Sequence, residues 1–94
     1  MNLLKRFWVT FEFTDKDRAE SVIVGLGYGC GVTAYSLDDA VVIIKRDLFI
    51  NASMPEIREV VENVDLSTLD EKHVLPNIRP PADRGIWFPK TGFS

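Results

Sequence analysis

The chain has a single cysteine, Cys30, among 94 residues, so no disulfide can form within it. Its fold must therefore stand on non-covalent packing, which suits a reducing compartment. Histidine is equally scarce, with His73 alone. One thiol and one imidazole fall short of the ligand set of a structural zinc site. The acidic groups Asp38-Asp39 and Asp65…Asp70-Glu71 lack the spacing of a calcium loop. No metal and no cofactor is expected. Lysine and arginine nowhere form a run, and the formal charge is −3, which argues against affinity built on neutralising phosphates. No apolar stretch reaches the length of a bilayer span, and none of signal-peptide length follows Met1-Asn2-Leu3-Leu4-Lys5-Arg6-Phe7. The expected setting is the cytoplasm, with neither membrane nor nucleic acid as partner. Internal repeats and low-complexity linkers are missing too, and the length suits one domain, 1–94.

What is present is an ordinary globular composition, 46% hydrophobic and 27% charged, which favours a packed core over disorder. Residues 6–14 carry the clearest strand. Phe7, Val9, Phe11 and Phe13 alternate with Trp8, Thr10 and Glu12, the period of a half-buried strand. A charged turn or short helical piece at 15–20 leads to Ser21–Val24, which has the β-branched content to begin a second strand. Gly25, Gly27, Gly29 and Gly31 then fall at every second position, permissive for bends and for positive φ. Val32 to Tyr35 resumes a strand pattern.

Ser36 opens a helix signal over 37–49. Its hydroxyl can cap the amide of Asp39, Asp38 and Asp39 suit the positive end of the dipole, and Lys45 and Arg46 suit the negative end. Leu37, Ala40, Val41, Ile44 and Leu48 share one face. A second signal lies at 54–64, where Ser53-Met54-Pro55-Glu56 has capping-box spacing and Ile57, Val60, Val61 and Val64 share a helical face. Helix is preferred there. Strand is the alternative, because these apolar residues are nearly all β-branched. From Asp65 to Asp83, Pro76, Pro80 and Pro81 rule out a long helix, and Leu66, Leu69, Val74, Leu75 and Ile78 are expected to pack without regular structure. Gly85-Ile86-Trp87-Phe88 reads as a closing strand. The fold class is therefore α+β, a small antiparallel sheet of 6–14, 32–35 and 85–88 with one or two helices packed on one face.

Four blocks stand out together: Gly29-Cys30-Gly31-Val32-Thr33-Ala34-Tyr35-Ser36-Leu37-Asp38-Asp39-Ala40, Val64-Asp65-Leu66-Ser67-Thr68-Leu69-Asp70, His73-Val74-Leu75-Pro76-Asn77, and Arg84-Gly85-Ile86-Trp87-Phe88-Pro89. In them the chain resembles a group of short bacterial proteins without assigned function. The resemblance implies a bacterial, stand-alone domain and carries no reaction, cofactor or site.

The residues themselves give the functional expectations. The glycine cluster fails both phosphate-binding fingerprints: Cys30 stands where a third glycine is needed, and no Gly-Lys-Ser/Thr follows. Cys30 and His73 form the one nucleophile–base pair available, but nothing in the sequence brings them together. Catalytic residues are therefore not assigned. Charge is more informative. Glu56 to Glu71 holds six acids and one base, a local charge of −5, whereas 79–94 sums to +2. On a helix, Glu56, Glu59 and Glu62 would form a ridge, with Asp65 beyond it, suited to steering a basic protein. Trp8, Arg84 and Trp87 are of the residue types enriched at binding hot spots, against the alternative that the tryptophans finish the core. The expectation is a non-enzymatic protein-interaction module using Glu56, Glu59, Glu62, Asp65, Trp8, Arg84 and Trp87, with an immunity-type inhibitor of a basic partner as one form. A homo-oligomer pairing through an open sheet edge is the second class, and a small Cys30/His73 enzyme the third.

Overall fold

A computed structural model describes residues 3–13, 28–49 and 53–89. The expected charged turn at 15–20, the strand at Ser21–Val24 and the glycines at 25 and 27 lie outside them. Within them the chain forms a four-stranded antiparallel sheet and one helix, an α+β fold. The elements are β1 (Lys5–Glu12), β2 (Cys30–Ala34), α1 (Leu37–Leu48), β3 (Glu56–Glu62) and β4 (Gly85–Phe88), and the sheet order is β3-β1-β2-β4.

The alternation in β1 sorts its side chains as the pattern requires. Phe7, Val9 and Phe11 join Cys30, Val32 and Ala34 of β2 in a core that α1 closes with Ala40, Ile43, Ile44 and Leu48. The helix starts where its cap dictates: Ser36 Oγ accepts from the Asp39 amide at 3.1 Å. That cap, with Asp38 and Asp39 in the first turn and Lys45 and Arg46 in the last, outweighs the strand propensity of Val41-Val42-Ile43-Ile44. Ile43 takes the buried place expected of Leu37, which is exposed.

The segment 54–64 corrects the helix expectation: its core is the edge strand β3, paired antiparallel with β1. The reason is a bulge. Thr10 stands opposite Glu59 and Phe11 opposite Ile57, so Arg58 is an extra residue. The extra residue flips the alternation and returns Ile57 and Val60, three apart, to the helix-covered face. A spacing of three that mimics a helix is here two strand segments joined by a bulge. Asn63 then adopts positive φ, and Val64 returns its amide to the Arg6 carbonyl at 3.1 Å.

The opposite face is also covered. Trp8, Val64, Val74, Trp87 and Phe88 form a second core, with Leu66, Leu69 and Ile78 packed against it. The covering segment is irregular, with short 3-10 turns at Leu66–Thr68 and Leu75–Asn77, as its prolines require. Trp8 stacks tilted against Trp87 and Phe88, with ring centroids 5.8 and 5.6 Å away. Two glycines make room for the indoles. A Cβ on Gly31 would lie 2.5 Å from Cζ3 of Trp87, and one on Gly29 would lie 2.7 Å from Cε2 of Trp8. Gly29 also has φ +130°, a conformation side chains oppose. Beyond Gly31 on the same face, Thr33 is buried and donates from Oγ1 to the Pro81 carbonyl at 2.6 Å.

These contacts predict that Gly31→Ala lowers stability by about 1–3 kcal/mol, because the methyl must displace a packed ring. Urea unfolding checks it. The loss should shrink when Trp87→Leu is made in the same chain, since ring and methyl compete for one space. Simple additivity of the two losses would show that the ring does not lie on Gly31.

Candidate functional site

The strand assignment redistributes the acidic residues expected to form one ridge. Register puts Glu62 opposite Phe7, on the helix-covered face, where Lys5 Nζ meets its Oε1 at 2.6 Å. Glu56 and Glu59 belong to the other face, opposite Glu12 and Thr10. Asp65 leaves the set altogether. Its Oδ1 accepts from the amide and hydroxyl of Ser67 at 3.0 and 2.8 Å, capping the first 3-10 turn. Those bonds, the hydroxyl's foremost, hold its carboxyl below the usual range.

What remains is an acidic cluster at one end of the β1–β3 pair. Glu12 and Glu56 are direct cross-strand partners, so two carboxylates of one sign are set side by side, and Glu59 adjoins them. Among the described residues the base paired with this cluster is Arg58, the bulge residue, its Nε 3.6 Å from Glu12 Oε1. Like charges directly opposite one another destabilise a sheet. Glu12 escaped the sequence reading because it lies in a different strand, more than forty residues from Glu56.

The two tryptophans are not surface contacts. Trp8 is 8% exposed and Trp87 is 1% exposed, both inside the second core. The packing role is the one they fill, because the irregular segment 64–78 closes over a face that the sequence left open. Trp87 Nε1 is buried without a hydrogen-bond partner among the described residues, so this ring sits there for its shape and area and against its polar atom.

Arg84 does lie at the surface, in a fixed setting. Its Nε and Nη2 both donate to the carboxylate of Asp39, Nε at 3.0 Å to Oδ2, a two-pronged arrangement between the start of α1 and the turn before β4. The same Oδ2 accepts from the Tyr35 amide at 3.0 Å, and the Arg84 guanidinium lies 6.0 Å from the Tyr35 ring centre. Arg84's hydrogen bonds above all, and then the Tyr35 amide, hold the Asp39 carboxyl down to about 2.

Cys30 and His73 are not brought together. Cys30 is fully buried on the helix-covered face, and burial pushes its thiol far above the ordinary thiol range. His73 is exposed in the segment that covers the opposite face, stacked on Tyr28 with centroids 5.2 Å apart. Its Nδ1 lies 3.2 Å from Asp70 Oδ1, which also accepts from the amides of Lys72 and His73. Among the described residues no three of His, Cys, Asp and Glu converge to hold a metal ion, and no helix is long and apolar enough to cross a membrane.

No family model matches the chain, and no curated protein or solved structure matches it.

The Asp39–Arg84 clamp gives a pH prediction with a defined sign. A carboxyl held low in the fold adds stability above its ordinary range, and that contribution disappears as pH falls toward the folded value. Wild type should therefore exceed Asp39→Asn in urea midpoint near neutral pH. The gap should close as pH drops from about 4 toward about 2. A gap independent of pH would assign the loss to packing.

Proposed function

We propose that this protein is a non-enzymatic protein-interaction module that receives a basic partner on the acidic end of the β1–β3 pair. The observation that carries the reading is the direct opposition of Glu12 and Glu56, with Glu59 beside them and one arginine among the three. Carboxylates forced together are poorly matched within the chain and well matched to a lysine or arginine brought by another protein. An immunity-type inhibitor in the cytoplasm, covering the basic site of a partner, is the concrete form this takes. That form rests on the chain's small size and acidic charge.

Self-assembly through the β3 edge is the second reading. β3 is an outer strand of the sheet, which favours it. The bulge at Arg58 and the run of acids on the same strand count against it, since both blunt an edge for pairing. A thiol enzyme draws no support from Cys30, which is enclosed in the core.

Binding and stability should respond to the acidic cluster in opposite directions. Glu56→Gln is expected to raise unfolding free energy by about 0.2–1 kcal/mol, because it removes a like-charge pair. A Glu12→Gln, Glu56→Gln, Glu59→Gln bait should lose a basic protein that the wild-type bait captures from lysate at low salt and releases at high salt. Retention of the same partner by both baits would sink the reading, as would a partner indifferent to salt.

A further inference from the structure

A second surface lies at the opposite edge of the sheet, beyond β4, and carries arginines where the first carries glutamates. An open groove of about 460 Å³ runs between the 78–80 stretch and the start of β4. Ile78, Pro80 and Ile86 supply apolar wall, and Arg79, Arg84 and Asp83 supply the charge, two positive groups against one negative. Gly85 keeps one side clear, for a Cβ placed there would meet nothing within 4 Å.

The two arginines have different standing. Arg84 is held by Asp39 and lies beside the Tyr35 ring, so its position is fixed and much of its charge is answered within the chain. Arg79 is anchored by its backbone, whose N–H donates to the Trp87 carbonyl at 2.9 Å. Its guanidinium makes no ion pair among the described residues. The groove thus offers apolar wall, one guanidinium without an ion pair among the described residues, and an exposed tyrosine reached across Arg84. Tyrosine and arginine beside a small apolar recess are the usual composition of a protein-binding hot spot.

We propose that this groove receives a short segment of another protein that presents an apolar side chain next to a carboxylate. The apolar side chain lies against Ile78, Pro80 and Ile86, and the carboxylate pairs with Arg79 while Asp83 turns away other orientations. A protein segment is favoured over a free small molecule because the groove is open, whereas small-ligand sites enclose most of what they bind. A second copy of this chain is a poor occupant, because its acidic cluster is set on paired strands and not on a protruding segment. The surface is independent of the basic-partner reading above, so either can fail alone.

The test is an amide NMR titration of the whole chain with a blocked pentapeptide alternating leucine and glutamate. The matching leucine–lysine peptide and hexanoate serve as comparisons. The glutamate peptide should shift the amides of Arg79, Gly85, Ile86 and Tyr35 to saturation, and the lysine peptide should not. Arg79→Gln should weaken binding about tenfold, the effect of losing one charge-assisted hydrogen bond. That variant keeps the backbone bond to Trp87, and an otherwise unchanged spectrum verifies its fold. Equal response to the lysine peptide, or no saturable response, overturns the proposal without needing the variant. Hexanoate binding as tightly as the peptide would replace the protein segment with a small carboxylate ligand. Shifts at the same amides on raising protein concentration alone would replace it with self-association.

Discussion

The structure depends on two indole rings lying on two glycines. Trp8 covers Gly29 and Trp87 covers Gly31, at distances that leave no room for even a methyl group on either backbone position. This close approach gives the sheet a second buried face. Without it, β2 would present Gly31 and Thr33 to water, and the irregular segment from Val64 to Ile78 would have nothing apolar to close over. With one helix among its described residues, the chain gains buried area by covering both sides of its central strands. Every residue of β2 is buried as a result.

Charged residues lie at both edges of the sheet. Among the described residues the central strands are enclosed, and the sheet ends in β3 on one side and β4 on the other. The chain treats its edges differently. The β4 edge is partly occupied by its own 79 backbone amide and carries the two arginines. The β3 edge carries a bulge and glutamates, both of which blunt a strand for indiscriminate pairing.

Much of the fold was legible in the residues, and the gaps have physical causes. The alternation of Phe7, Val9 and Phe11 and the cap at Ser36 were sufficient because each is a local signal that the tertiary fold leaves intact. β3 was misread because its bulge places Ile57 and Val60 on one face at a spacing that a helix also uses, and no local feature marks Arg58 as the extra residue. Burial of the tryptophans was hidden for a different reason. Their cover is aperiodic, and its apolar residues are scattered over the stretch from Val64 to Ile78. Of the candidate site, Glu56, Glu59 and Arg84 were legible as surface charge, whereas Glu12 enters only through strand pairing, and the Asp39–Arg84 clamp joins residues 45 apart. In the sequence the glycines at 29 and 31 signal only freedom for bends and for positive φ. Their role is to accept aromatic rings, and the available sign was the presence of two tryptophans in a chain this short.

The most direct measurement is the chemical shift of the glycine α protons. A proton held beneath an indole face is shielded by the ring current, so the α protons of Gly29 and Gly31 should resonate well upfield of other glycines. They should also show nuclear Overhauser contacts to Trp8 and Trp87 respectively. Both shifts should collapse together on unfolding in urea. Glycine α protons at ordinary positions, with no contact to either indole, would contradict the two-faced sheet.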